Sequence, residues 1–169
     1  MYGGVYPSYT FFIYMEKEKI NPSLAVGVVI KNKDNKVLLV REGRDKYYEK
    51  AKGSWGLPTG KIEWTEPIEE GLRREIKEEL NVKANPVGLI GVYQYCRDDS
   101  QCLGLAFVVE LTGNEKDIRY NTKELQAIKW FDIEQVLRSD VQLRYGAKEV
   151  LEDYKNNFIL PFKYIHFFD

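Results

Sequence analysis

The chain has 169 residues, with 25 Lys and Arg against 26 Asp and Glu and a formal net charge of −1, so it is long enough for one domain with its own core and has no basic block to hold duplex nucleic acid. Two cysteines and one histidine are too few for a structural zinc site, which takes three or four N or S ligands, and His166, so close to the C-terminus, is a poor member of a Ser-His-Asp triad. No apolar run reaches the ~18 residues of a membrane span and no basic start marks a secretory signal, so a cytoplasmic protein without membrane contact is expected, with Cys96 and Cys102 reduced rather than facing each other across a hairpin.

Residues 1–14 (MYGGVYPSYTFFIY) are aromatic, with turn residues Gly3, Gly4 and Pro7, and are set apart from a domain over 15–169. They are either an added strand that docks on the body or on a second subunit of a homodimer, or, more plainly, the product of an upstream start codon. Ser23 to Ile30 (SLAVGVVI) is a continuous apolar run, as in a strand buried on both faces. Lys31 to Lys36 is a turn rich in Asn and Asp, and Val37 to Arg41 is a returning strand. Glu42 to Lys52 is a polar loop.

The stretch from Gly60 to Val82 (GKIEWTEPIEEGLRREIKEELNV) carries the chemistry. Thr65 is the expected N-cap of a helix with Pro67 in its first turn. Leu72, Ile76 and Leu80 recur at i, i+4 and i+8 and form a face that packs on a sheet. Asn81 can take the left-handed conformation that ends a helix. On such a helix Glu75, Glu78 and Glu79 fall within an arc of roughly 100°. Three carboxylates there repel one another unless something neutralises them, and a hard divalent cation with oxygen ligands would do so. Gly71 lies between Glu75 and Glu78 on the wheel, where a small residue would admit the Pro58–Gly60 loop. An acidic, solvated helix face is the blander account of an EIKEE run, and the spacing to Gly60 and Glu66 weighs against it.

Beyond the helix, Pro86 to Tyr95 and Leu103 to Leu111 are strand-like and joined by a polar loop. Tyr93 and Tyr95 share a face and can stack on a planar group or pack in the core. Residues 113–123 are a polar loop and Glu124 to Phe131 a last strand. Asp132 N-caps a helix to Leu137, and Val141 to Tyr154 is a second helix.

The stretch resembles the Nudix box: glycine, five residues, glutamate, seven residues, Arg-Glu, an aliphatic, any residue, Glu-Glu, any residue, glycine, an aliphatic. Gly60, Glu66, Arg74, Glu75, Ile76, Glu78, Glu79 and Val82 match it, and Asn81 replaces the last glycine. The resemblance implies the α/β Nudix fold, an α/β/α sandwich with a mixed β-sheet, in which the strands at 23–30 and 37–41 form the opening hairpin. The segment Trp55-Gly56-Leu57-Pro58-Thr59-Gly60 resembles the family's Trp-x-Leu-Pro-Gly-Gly approach, with Thr59 for the first glycine. By the same resemblance the Gly60 carbonyl, Glu75, Glu78 and Glu79 hold Mg²⁺ or Mn²⁺. Glu79 is the candidate base, with Glu124 as the alternative. Arg74 orients the carboxylates by bidentate hydrogen bonding. Glu66 supports the loop, and Arg41 and Tyr95 face the substrate. The C-terminal stretch from Leu137 is loosely similar to phosphatase-type Nudix enzymes.

The implied activity is Mg²⁺-dependent hydrolysis of a phosphoanhydride in a nucleoside triphosphate or another nucleoside diphosphate linked to a second group, a small nucleotide-like substrate. No SQPWPFP-type signature of dinucleotide cleavage is present, nor a proline at the spacing after the box that would point to ADP-ribose. The alternative is a non-catalytic, nucleotide-binding Nudix-like sensor module, which typically lacks box carboxylates that this chain retains.

Overall fold

The computed structural model describes residues 22–43, 53–96 and 101–166. The aromatic extension over 1–14, the start of the domain at 15, most of the 42–52 loop and the middle of the 96–102 loop lie outside these residues.

Eight strands form two sheets. β1 (Ser23–Ile30), β4 (Thr59–Lys61), β5 (Ala84–Cys96), β6 (Gln101–Leu111) and β8 (Leu160–Pro161) make a five-stranded sheet in the order β4-β1-β6-β5-β8. It is mixed, because β1 runs parallel to β6 and the other neighbours are antiparallel. β2 (Val37–Glu42), β3 (Trp55–Gly56) and β7 (Leu125–Phe131) make a three-stranded antiparallel sheet in the order β3-β2-β7. Among the described residues three α-helices complete the fold: α1 (Ile68–Leu80), α2 (Ile133–Arg138) and α3 (Ala147–Lys155).

Alternation along the strands divides the core in two. Val26, Val28 and Ile30 of β1 and Leu38 and Val40 of β2 meet Leu72, Ile76 and Leu80 of α1. The intervening residues Val29, Val37 and Leu39 point the other way, to Val136 of α2 and Val150 and Leu151 of α3. An apolar side chain is therefore required at nearly every position of β1 and β2, which is why these segments lack polar alternation. Helices cover both faces, as an α/β/α sandwich requires.

Three local expectations are corrected. β1 and β2 are not a paired hairpin: a single bridge joins Lys31 to Val37, and the two strands then enter different sheets. The turn between them is as expected, with the Asn32 side chain accepting from Asp34 N and Lys36 N. The N-cap of α1 is Pro67, not Thr65. Thr65 has φ 72°, and the Pro67 carbonyl accepts the first helical hydrogen bond, from Gly71 N at 3.0 Å. The final helix does not begin at Val141. Residues 141–146 lie extended or in a turn, with Leu143 bridged to Trp55, and α3 starts only after Gly146 at φ 81°.

Other expectations hold. Asn81, at φ 55°, ends α1, and Asp132 caps α2 by accepting from Gln135 N. Residues 113–123 are a loop containing a 3-10 turn, Glu115–Asp117. Tyr95 pairs with Cys102 and Cys96 with Gln101, so the two cysteines point to opposite faces of the β5–β6 ladder, and both are free. Among the described residues no helix is long and apolar enough to cross a membrane.

Candidate active site

The site forms where β4 passes beneath α1. Gly60 lies opposite Val26 of β1. A β-carbon on Gly60 would overlap the Glu75 carboxyl group, so only glycine lets this strand pass so close to the helix. One residue earlier, Thr59 N donates to Glu79 Oε2 at 3.2 Å. The loop thus meets two carboxylates of α1. Gly71 serves a different purpose from the one expected: a side chain there would strike Ile62 and Glu66, not the Pro58–Gly60 loop.

Arg74 organises the acidic face. It forms a two-pronged pair with Glu66, Nε to Oε1 at 2.8 Å and Nη2 to Oε2 at 2.9 Å. Nη1 donates to Glu75 Oε1 at 2.8 Å and to Glu78 Oε2 at 3.3 Å, while Nη2 also reaches the Lys61 carbonyl. Arg74 thus touches three carboxylates at once, and Glu66 also accepts from Glu63 N at 3.0 Å. The guanidinium and that backbone donor hold the Glu66 carboxyl at a pKa of about 2, well below its usual range. The same pairing raises the Arg74 pKa.

Glu79 is in the opposite situation. It is one of two buried polar or charged residues among those described, and only 9 % exposed. Burial pushes its pKa up to about 8, opposed by the charge of Arg144 and reinforced by Glu75 and Glu42. Glu75 is also raised, first by burial, with Arg74 opposing. Glu78 is exposed. Among the described residues no three His, Cys, Asp or Glu side chains stand close enough to make a ready cage for a metal ion. The structure brings Glu75 and Glu79 to Gly60 and Thr59, and leaves Glu78 at the rim beside Arg74.

The remaining expected site residues are distributed around this centre. Glu124 is exposed just before β7 and contributes repulsion at Glu75. Arg41, at the end of β2, donates through Nε to the Gly53 carbonyl at 2.9 Å. It does not line the pocket that Thr59 borders. That pocket is bounded by Gly27, Thr59, Tyr93, Tyr95, Arg144 and Tyr145, among others. Tyr95 meets Tyr145 edge to face, with centroids 5.4 Å apart, and Tyr93 donates to Asp153 Oδ2 at 2.7 Å. Tyr93 is thereby tied to α3, while Tyr95 presents its ring to the pocket.

Arg144 was not foreseen. It comes from the α2–α3 connection and donates to Glu42 Oε2, the Leu57 carbonyl and Thr59 Oγ1. In the sequence it looks like one arginine among many in a polar tail. The one available signal was its partner, the threonine that stands where the box's approach has glycine.

A family model of the NUDIX domain matches residues 21–154. An ADP-ribose pyrophosphatase of Methanocaldococcus jannaschii is 29% identical over 137 residues, 80% of this chain and 74% of that protein. An 8-oxo-dGDP phosphatase of Danio rerio is 32% identical over 112 residues; these are 65% of this chain but only 32% of that longer protein. A solved NUDIX hydrolase from Nitrosomonas europaea matches with a TM-score of 0.72 at 24% identity, covering 88% of this chain and 98% of that one; at that identity the likeness is one of fold. The family match spans most of the chain and encloses the whole carboxylate face of α1, so the chain belongs to the Nudix family as a Nudix-type (pyro)phosphohydrolase.

Proposed function

We propose that the chain hydrolyses a phosphoanhydride of a small nucleotide, a nucleoside diphosphate carrying a second group or a third phosphate, with a divalent cation, Mg²⁺ or Mn²⁺, as its cofactor. The observation that carries this reading is the buried Glu79 carboxyl, held against the Thr59 amide beside Glu75 and Gly60, with Thr59 also lining an aromatic pocket. An ionised carboxylate at that depth lacks a full counter-charge, as its raised pKa attests. The donor set is oxygen only, which fits a hard cation. Mg²⁺ takes few protein carboxylates and completes its shell with water and substrate phosphate.

Glu75, Glu79 and the Gly60 carbonyl would hold the cation, with Glu78 joining from the rim. Bound there, it supplies charge neutralisation for the anhydride and for the leaving phosphate. Arg74 fixes the Glu75 and Glu66 carboxylates, so the face does not reorganise as charge develops. Glu79 is the base that takes the proton of the attacking water, and Glu124 is its alternative from across the Glu75 face. The Tyr95 ring offers a stacking surface for a planar group. Arg41, held at Gly53 beside the loop, would reach the substrate only from the outer edge. Two relatives are named for nucleoside diphosphate compounds, ADP-ribose and 8-oxo-dGDP, which favours the diphosphate unit as the feature recognised.

The test is product analysis with nucleoside di- and triphosphates, ADP-ribose, dinucleoside polyphosphates and thiamin diphosphate, with and without Mg²⁺ or Mn²⁺. Metal-dependent release of a nucleoside monophosphate is expected, with pyrophosphate from a triphosphate or the residual phosphate group from a diphosphate compound. Binding without turnover in every case would replace the hydrolase with the sensor module.

A further inference from the structure

The loop ahead of Gly60 is gripped from outside the box. Arg144 Nη1 donates to Glu42 Oε2 at 2.8 Å; its Nη2 donates to the Leu57 carbonyl at 2.7 Å and to Thr59 Oγ1 at 2.8 Å. The guanidinium lies flat across Gly56, where a β-carbon would come within 2.7 Å of Nε. The backbone of the same segment is paired to the loop: Trp55 N donates to the Gln142 carbonyl at 2.8 Å, and Arg144 N to the Trp55 carbonyl at 2.7 Å. Five hydrogen bonds therefore join the segment 142–144 to Glu42, Trp55, Leu57 and Thr59. The next bond in the chain runs from Thr59 N to Glu79. Glycine at position 59 would give Arg144 no hydroxyl to hold. The Thr59 methyl in turn lies against Gly27, where a β-carbon would come within 3.3 Å of it.

We infer that Arg144 is a positioning residue for the reaction: through the Leu57 carbonyl and the Thr59 hydroxyl it sets where the Thr59 amide and the Gly60 carbonyl stand against Glu79 and Glu75. Thr59, Arg144 and Glu42 form one connected unit centred on Arg144, and the threonine that departs from the box's approach is its contact on the loop. The role depends on the planar fork of arginine, because a lysine ammonium on its flexible stem holds three acceptors in two directions less rigidly. The inference rests on the hydrolase reading, since it concerns the loop that would present the Gly60 carbonyl.

Arg144→Ala, Arg144→Lys and Thr59→Val in the full chain test it, the last removing the hydroxyl while keeping the shape. Two measurements are made. Amide hydrogen exchange in the metal-free protein is followed at Thr59 and Gly60 and at the core positions Ile76 and Phe107. Steady-state kinetics use whichever nucleotide the wild type turns over. The expected result is exchange at Thr59 and Gly60 at least about tenfold faster in Arg144→Ala, with Ile76 and Phe107 unchanged. With it comes a fall in kcat of about tenfold to a hundredfold, with KM held within about threefold. Arg144→Lys should resemble Arg144→Ala, and added guanidinium ion should restore part of the kcat of Arg144→Ala. Thr59→Val should add nothing once Arg144 is gone. A rise in KM at unchanged kcat overturns the inference and makes Arg144 a substrate ligand. Unchanged exchange at Thr59 and Gly60, or equal acceleration in the core, overturns it as well. If the wild type turns over no nucleotide, the hydrolase reading fails by itself, and the exchange pattern still decides whether Arg144 holds the loop.

Discussion

Glu66 approaches the start of α1 and Glu79 lies in its last turn; both interact with an arginine, yet the first is held at a pKa of about 2 and the second is pushed up to about 8. The difference lies first in the burial of Glu79 and then in how each arginine is used. Arg74 meets Glu66 with two parallel hydrogen bonds near solvent. Arg144 acts on Glu79 through its charge alone, while its donors go to Glu42, Leu57 and Thr59. One end of the helix is a scaffold paired with Arg74, and the other holds a buried carboxyl with one backbone donor and, among the described residues, no ion-pair partner of its own. A box with many acidic residues thus divides into glutamates that hold shape and glutamates left short of positive charge, and the cation site proposed above lies at the second kind.

The largest expected effect tests the charge-deficient end. Glu79→Gln keeps the side-chain shape and removes the charge, and turnover should fall by about a hundredfold to ten-thousandfold. The same variant should alter the pH dependence of stability in the metal-free protein. The native pKa of Glu79, about 8, stands above the ordinary 4.5, so between these values the native state binds the extra proton. The stabilisation is complete below pH 4.5 and is lost as pH rises through 8. Urea unfolding with a chelator present should show wild-type stability falling by roughly 3–5 kcal/mol from pH 5 to above pH 8. Glu79→Gln should lose most of that slope. The remainder belongs to Glu75, whose shift has the same sign. A wild-type curve flat over this range would remove the physical basis for singling out Glu79.

Next in size is a test of the scaffold end. Arg74→Ala leaves Glu66, Glu75 and Glu78 without their shared cation, and the partly buried cluster should lose about 2–4 kcal/mol of stability. Arg74→Lys should recover less than half of it, because an ammonium cannot reproduce the fork. The acid limb gives the sign. Glu66 has a lowered native pKa, so its contribution is present above pH 4.5 and is lost as pH falls through about 2. Acid unfolding of Arg74→Ala should therefore lack the low-pH step shown by the wild type.

The same division accounts for what the sequence disclosed. The scaffold is local. Glu66, Arg74, Glu75 and Glu78 lie within 13 positions, their helical spacing can be drawn on a wheel, and the helix face of Leu72, Ile76 and Leu80 follows from the 3.6-residue period. The helix terminator Asn81 was equally legible. The non-local part was not. Arg144 lies 85 positions from Thr59 and 102 from Glu42, and no periodicity connects them. The β1–β2 pair misled for a related reason: apolar runs report burial on two faces, not which neighbour pairs with which. Val141 to Tyr154 reads as one helix in the sequence, yet Gly146 and the bridge from Leu143 to Trp55 divide it, and that division is what delivers Arg144. At Thr65 a good capping residue was outcompeted by a turn that Glu66 closes on Glu63, so the helix starts at Ile68.

The smallest expected effect separates the two ends by their response to a cation. At pH 7 a Glu79 with a native pKa of about 8 is mostly protonated, and a divalent cation must displace that proton to bind. Titration with Mg²⁺ or Mn²⁺ by calorimetry, in buffers of different ionisation enthalpy, should therefore release close to one proton per cation at pH 7 and progressively fewer as pH rises past 8. Glu79→Gln should abolish the release, since the amide has no proton to give up. Glu78→Gln should leave the release intact and weaken affinity by about tenfold or less, because Glu78 is exposed and already shared with Arg74. A release unchanged in Glu79→Gln but lost in Glu78→Gln would place the cation at the rim instead of in the loop, and would reverse the assignment of which glutamates hold shape and which wait for charge.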